Sequence, residues 1–162
     1  MAPRQLILVR HAHAVSEIDN VERPLSATGL AQARHIAAVT SEIIPEVDVI
    51  YHSSKKRTEE TAEILGGSIK SASGIRWRGG LNPNDPPSDF FSELAGEDHQ
   101  RVMIVGHLPF LDDMAAQLLG GRQAPRAVRF SLATAANLVR SGRRWKLMWM
   151  INPATVEQAA ER

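Results

Sequence analysis

The sequence predicts a three-layer α/β/α sandwich around a mostly parallel sheet, in a chain of 162 residues. Apolar runs at Leu6-Ile7-Leu8-Val9 and Val102-Met103-Ile104-Val105 each lead directly into a histidine-bearing segment, the pattern of strands buried on both faces. Between them, stretches with helical spacing alternate with short apolar runs, which implies right-handed crossovers and helices on both sheet faces. Two late apolar stretches around Ser141-Gly142 add a C-terminal antiparallel hairpin. The length suits one domain over 1–162 with a core of its own.

In chain order, a first strand covers 5–10, and residues 12–25 are polar and irregular. Ser26 precedes Leu30, Ala33, Ile36, Ala37, Thr40 and Ile43-Ile44 at helical spacing, so Ser26 or Thr28 caps a helix that Pro45 ends. Asp48 to His52 form a second strand. Ser53-Ser54 then cap a helix over 54–65, closed by Gly66-Gly67. A weak strand is placed at 69–73, a loop from Gly79 to Ser88, and a helix from Ser88 to Ala95. A strand from Arg101 to Gly106 repeats the opening pattern, followed by a helix from Phe110 to Leu119 that Gly120-Gly121 stop. The hairpin strands are expected at 128–140 and 144–151, with Trp145 and Trp149 on one face, and the tail 153–162 as a short helix.

Composition narrows the function classes. Hydrophobic content of 43%, charged content of 23% and a formal charge of +1 are those of an ordinary globular chain, and favour neither nucleic acid nor membrane as partner. The absence of cysteine excludes disulfides, thiolate nucleophiles and cysteine-ligated metals. No apolar segment reaches spanning length and no cleavable leader is visible, so a cytoplasmic protein is expected.

If the strands at 5–10 and 101–106 are parallel neighbours, His11 and His107 emerge at one edge of the sheet, where open α/β sheets bind ligands. The strand at 48–52 brings Ser53 and Arg57 to that edge. Arg10, His11, Arg23, Arg57 and His107, with Ser53 and a helix start, form an anion pocket suited to a phosphoryl group. No acidic ligand cluster accompanies them, so neither metal nor cofactor is expected. His35, His52 and His99 are assigned structural or surface roles, and Lys55 and Lys56 to solvent.

The spacing of these residues resembles the histidine phosphatase (phosphoglycerate mutase-like) superfamily. Arg10-His11-Ala12 is similar to its Arg-His-Gly signature, and Arg23-Pro24-Leu25-Ser26 with Gly29 to its Arg-Pro-Leu-Thr element. Ser53 to Thr61 resembles its Ser-Pro-x-x-Arg-x-x-Gln-Thr segment. Gly106-His107-Leu108-Pro109 resembles the second-histidine motif of the small SixA-type phosphohistidine phosphatases. Ala12 replaces glycine, Ser54 proline and Glu60 glutamine, the last read as a surface change; His13 has no fixed counterpart.

The resemblance implies a covalent phosphohistidine intermediate, with His11 as nucleophile and Arg10, Arg57 and His107 on the equatorial phosphoryl oxygens. Arg23 stands at the pocket mouth and Ser53 adds a donor; water then releases inorganic phosphate. The stretch Arg76 to Pro83, where a general acid is expected, holds no carboxylate. Imidazole, with a reference pKa of ~6.5, leaves with less help than an alkoxide. A phosphohistidine-bearing protein is therefore the expected partner, rather than a small phosphorylated compound. The alternatives are a small-molecule phosphomonoesterase using Asp85 or Asp89 as acid, and a metal-dependent hydrolase built on His11, His13 and His107.

Overall fold

The computed structural model describes residues 1–154. The elements are β1 (Gln5–Arg10), α1 (Ala27–Ile43), β2 (Glu46–Val47), β3 (Val49–His52), α2 (Lys56–Ser68), β4 (Lys70–Ser71), β5 (Ile75–Trp77), α3 (Pro87–Leu94), β6 (Arg101–Gly106), α4 (Phe110–Gly120), β7 (Ala135–Ser141) and β8 (Arg144–Ile151). Six strands form one sheet in the order β5-β3-β6-β1-β7-β8, while β2 and β4 pair separately. The first four strands of that order run parallel, and β7 and β8 close the sheet as the antiparallel hairpin. This is the expected mixed α/β sandwich with its helices in two layers.

Side-chain alternation along β1 and β6 divides the core. Leu6, Leu8, Val102 and Ile104 pack with Phe90, Leu94, Phe110 and Met114 from α3 and α4. Ile7, Val9, Met103 and Val105 pack with Ala33, Ile36, Ala62 and Leu65 from α1 and α2. All four apolar residues of each strand are fully buried, which is why these strands read as continuous apolar runs. At their amino ends the Asp48 carboxylate accepts the Gln100 and Arg101 N–H groups at 2.6 and 2.8 Å, holding β6 in register beside β3. Among the described residues, no helix is long and apolar enough to cross a membrane.

Several local expectations are corrected. The N-cap of α2 is Lys55, without a side-chain cap; the Ser53 hydroxyl instead accepts the Lys55 N–H at 3.3 Å. Gly66 and Gly67 lie inside α2 rather than ending it. A Cβ on Gly66 would stand 2.4 Å from Ile75 Cδ1, so this glycine lets the edge strand β5 close over the helix. The expected strand over 69–73 is only the two-residue β4, and β5 lies where none was assigned.

The strand expected over 128–140 begins only at Ala135. Residues 130–134 are instead held as an irregular segment beneath the carboxyl end of β1. Phe130 N–H donates to Asp112, Ala133 N–H donates to the His11 carbonyl, and Arg10 N–H donates to Thr134. Ala133 takes a left-handed φ of 54° to make this bend. Trp145 and Trp149 lie on opposite faces, not one. The register slips by one residue between Leu138↔Leu147 and Asn137↔Trp149, a β-bulge that turns Trp149 toward the α1–α2 core while Trp145 packs with α3–α4. The expected tail helix lies, from residue 155 onward, outside the described residues.

Candidate active site

Register brings the two histidine segments together. Arg10 and Gly106 are direct partners at the ends of β1 and β6, and His11 N–H donates to the Gly106 carbonyl at 3.1 Å. The rings of His11 and His107 consequently lie 5.2 Å apart, centroid to centroid, tilted by 58°. Both rings are buried. They line a cleft of about 280 Å³ together with Arg10, His13, Ala14, Arg23, Arg57, Pro83, Leu108 and Leu132. Of the six residues expected to form the anion pocket, Ser53 alone is missing from the cleft wall; it stands one layer behind His107.

The hydrogen bonds fix which nitrogen of each ring carries its proton. His11 Nδ1 lies 2.8 Å from the Ala12 carbonyl, which can only accept, so Nδ1 is protonated and Nε2 keeps its lone pair. His107 Nε2 lies 2.6 Å from Ser53 Oγ. Thr58 Oγ1, 2.7 Å from both Ser53 Oγ and the Lys55 carbonyl, gives its proton to the carbonyl, so the Ser53 hydroxyl donates to Thr58 and accepts from His107 Nε2–H. His107 Nδ1 is then left buried with no protein partner.

Electrostatics keep both rings neutral. Burial, then the charges of Arg57, Arg10 and Arg23, outweigh the Ala12 hydrogen bond and bring His11 down to about 4. Burial and the charge of Arg57 bring His107 to about 3. An unprotonated, tautomer-fixed imidazole is a nucleophile at neutral pH.

Arg10 and Arg23 are anchored by backbone carbonyls rather than by carboxylates. Arg10 Nη1 donates to the Phe130 carbonyl at 2.9 Å, and burial pushes its guanidinium below the ordinary value against the opposing charge of Asp112. Burial and the charge of Arg23 do the same for Arg57. Among the described residues, five buried side-chain polar atoms lack a partner, and Arg10 Nε, Arg57 Nε and His107 Nδ1 are three of them. The two guanidinium Nε–H groups are buried donors without an acceptor around one cleft, which marks a place for an anion.

Arg23 reaches the cleft from the 15–24 loop in a left-handed conformation, φ 51°, with Nε bonded to the Val15 carbonyl at 3.0 Å. The loop is pinned by the Ala14↔Leu25 bridge and by Glu60, whose carboxylate accepts Leu25 N–H at 2.6 Å. Glu60 is thus no idle surface substitution: it ties the Arg23 loop to α2. Asp85 accepts the Asn82 N–H of its own turn, and neither it nor Asp89 lines the cleft. Among the described residues no three His, Asp or Glu side chains converge as a metal site, so His11, His13 and His107 do not form the triad that a metal-dependent hydrolase needs. His99, placed at the surface by sequence, is partly buried and joins a network with Glu97, Tyr51 and Ser73. Pro83, Leu108 and Leu132 went unforeseen as lining residues, since an isolated proline or leucine in a loop carries no sequence signal; the buried Asp112 of α4, behind Arg10, was missed because its partner Phe130 is distant in sequence.

Residues 6–78 match the family model of the histidine phosphatase superfamily, branch 1. The phosphohistidine phosphatase SixA of Escherichia coli K12 is 25% identical over 160 residues, covering 96% of this chain and 98% of the relative. A structure from Agrobacterium tumefaciens assigned to SixA superposes with a TM-score of 0.79 at 24% identity, over 93% of this chain and 99% of that one. A protein histidine phosphatase SixA complexed with tungstate gives 0.78 at 22% identity, over 94% and 99%.

Proposed function

Since the chain belongs to the histidine phosphatase superfamily and is a phosphatase, we propose that it hydrolyses phosphohistidine carried on a protein, through a phosphoryl group held transiently on His11. The observation that carries this reading is the fixed tautomer of His11: a neutral ring with Nε2 free in a cleft whose charges are all cationic.

In this mechanism the phosphoryl group enters the ring of Arg10, Arg23, Arg57 and His107. Its negative charge supplies the counter-ion that the cleft lining lacks, and raises the proton affinity of His107, whose Nδ1 then donates to a phosphoryl oxygen. His11 Nε2 attacks phosphorus in line with the leaving nitrogen. The transition state spreads charge over three equatorial oxygens, which the guanidinium groups meet without reorganisation. Water then attacks the phosphorylated His11 and releases inorganic phosphate. Side-chain cations supply the charge that a metal would otherwise bring, so the reaction is proposed to be metal-independent.

Two features favour a protein-borne substrate. The cleft lining holds no carboxylate to protonate an alkoxide, whereas imidazole departs readily. The loop that carries Arg23 also displays Ile18 and Val21, 98% and 83% exposed, a pair of apolar side chains suited to contact with another protein surface.

The test is a side-by-side assay of a phosphohistidine-bearing protein and a simple alkyl phosphomonoester, each with and without a chelator. Faster turnover of the phosphoprotein, unchanged by the chelator, is expected. Preference for the ester, or loss of activity on chelation, would contradict the reading.

A further inference from the structure

One cleft residue has no role in that mechanism and is nevertheless held in place with care. His13 lines the cleft beside His11, His107 and the arginines, and is exposed at its mouth. Its backbone is clamped to the start of α1 from three sides. Its N–H donates to Gln32 Oε1 at 3.0 Å, its carbonyl accepts Ser26 N–H at 3.0 Å, and a Cβ on Gly29 would lie 1.9 Å from that carbonyl oxygen. Only glycine at position 29 permits this approach.

The ring is clamped as well. His13 Nδ1 lies 2.7 Å from Ser26 Oγ, which also accepts Gly29 N–H at 3.0 Å and donates to the His13 carbonyl at 3.3 Å. With the Ser26 proton on that carbonyl, both Ser26 lone pairs are used by N–H donors. Nδ1 must then carry a proton, and Nε2 is the nitrogen free to exchange one. His11 and His107 are each engaged otherwise, and Asp85 and Asp89 lie outside the cleft wall.

We propose that His13 is a catalytic residue, the proton donor to the leaving group and then the base that activates water. This rests on the His11 reading above. In the first step the His11 Nε2–P bond forms and the P–N bond of the substrate breaks. That bond's electron pair goes to the departing imidazole nitrogen, which takes the proton from His13 Nε2. In the second step neutral His13 Nε2 takes a proton from the attacking water, the new P–O bond forms, and the electron pair of the P–N bond returns to His11. His13 ends protonated as it began. His13 Nε2 thus delivers its proton to a departing imidazole in a cleft wall that holds no carboxylate.

The experiment compares the wild-type protein with His13→Asn and His13→Ala on aryl phosphates whose phenols range from good to poor leaving groups. Asn places an amide where Nδ1 stood, preserving the Ser26 contact without proton transfer. Both variants are expected to lose on the order of 10²-fold in kcat/KM on the poorest leaving group and less than about 3-fold on the best. A uniform loss across the series, or rescue by Asn to wild-type rates, would reduce His13 to a positioning part and overturn the proposal. Phosphoryl label trapped on His11 in all three proteins, with no change in leaving-group dependence, sinks the His13 role alone. Absence of label on wild-type His11 sinks the underlying mechanism too.

Discussion

Two clusters of arginine and histidine flank the same sheet, and they differ in one respect. Around Glu97, each charge has its complement: Arg78 pairs with Glu97 and Glu93, His99 and Tyr51 bond to Glu97, and Arg78 stacks over the Tyr51 and Phe90 rings at 4.8 and 5.1 Å. Its pKa shifts follow from compensation, with Arg78 raised and Glu97 lowered by its hydrogen bonds. Around His11, the cations have no carboxylate among the cleft-lining residues, and Arg10, Arg57 and both histidines shift downward. The first cluster is complete as it stands; the second is completed only by an anion from outside. Residue types alone do not separate structure from function, whereas charge balance does.

Removing one charge from each cluster should therefore have opposite consequences. Arg57→Ala is expected to cut kcat/KM on the order of 10²- to 10³-fold, since it removes a donor to the transition-state oxygens. It should leave the melting temperature unchanged or raised, because like charges in a half-buried ring repel. A large loss of stability with modest loss of rate would break the contrast.

Ser53→Ala is a smaller perturbation of the same site. It removes the acceptor for His107 Nε2–H and should lower kcat/KM roughly 10-fold, mainly in kcat, with the fold intact by circular dichroism. On the compensated side, Glu97→Gln should cost about 1–3 kcal/mol in denaturant unfolding, by removing the negative charge that Arg78 pairs with most closely, and should leave kcat/KM unchanged. A loss of rate without a loss of stability would show the two clusters are coupled.

The pH dependence sharpens the contrast further. His11 and His107 titrate near 4 and 3 in the folded protein, against an ordinary value of 6.5. An unfolded chain binds protons that the native rings refuse, so as pH falls from about 6.5 toward 4 the two histidines withdraw stability. Glu97, held low, contributes stability above the carboxylate range and loses it only at lower pH. Melting curves should show the first decline beginning near 6.5 and diminished in His107→Gln. The acid limb of kcat/KM should fall near 4, where His11 takes up its proton; a limb near 6.5 would contradict a buried, cation-flanked nucleophile.

Much of this was legible in sequence because burial on both faces leaves an unmistakable mark. Leu6 to Val9 and Val102 to Val105 read as strands without ambiguity, and their ends deliver Arg10, His11 and His107. Arg57 and Arg23 were found by motif order rather than by local pattern. What escaped notice depends on partners distant in sequence. Strand β5 is exposed throughout and shows no apolar run, so only its pairing to β3 reveals it. The irregular 130–134 segment is set by Asp112 and by backbone bonds to Arg10 and His11, and the β8 bulge by its register with β7. Glu60 looked superficial because its acceptor role for Leu25 joins two segments 35 residues apart. His13 was visible, but nothing in the sequence showed how firmly Ser26, Gly29 and Gln32 hold it.

The central claim is that a neutral, tautomer-fixed imidazole takes the phosphoryl group itself. Its most direct test is to mix the protein with a labelled phosphohistidine protein, quench in alkali within one turnover, and locate the label by peptide mapping. The account predicts phosphate on His11 and none on His107 or His13, with no labelled enzyme in His11→Asn. Turnover by His11→Asn at wild-type rate, or label recovered on another residue, would contradict it.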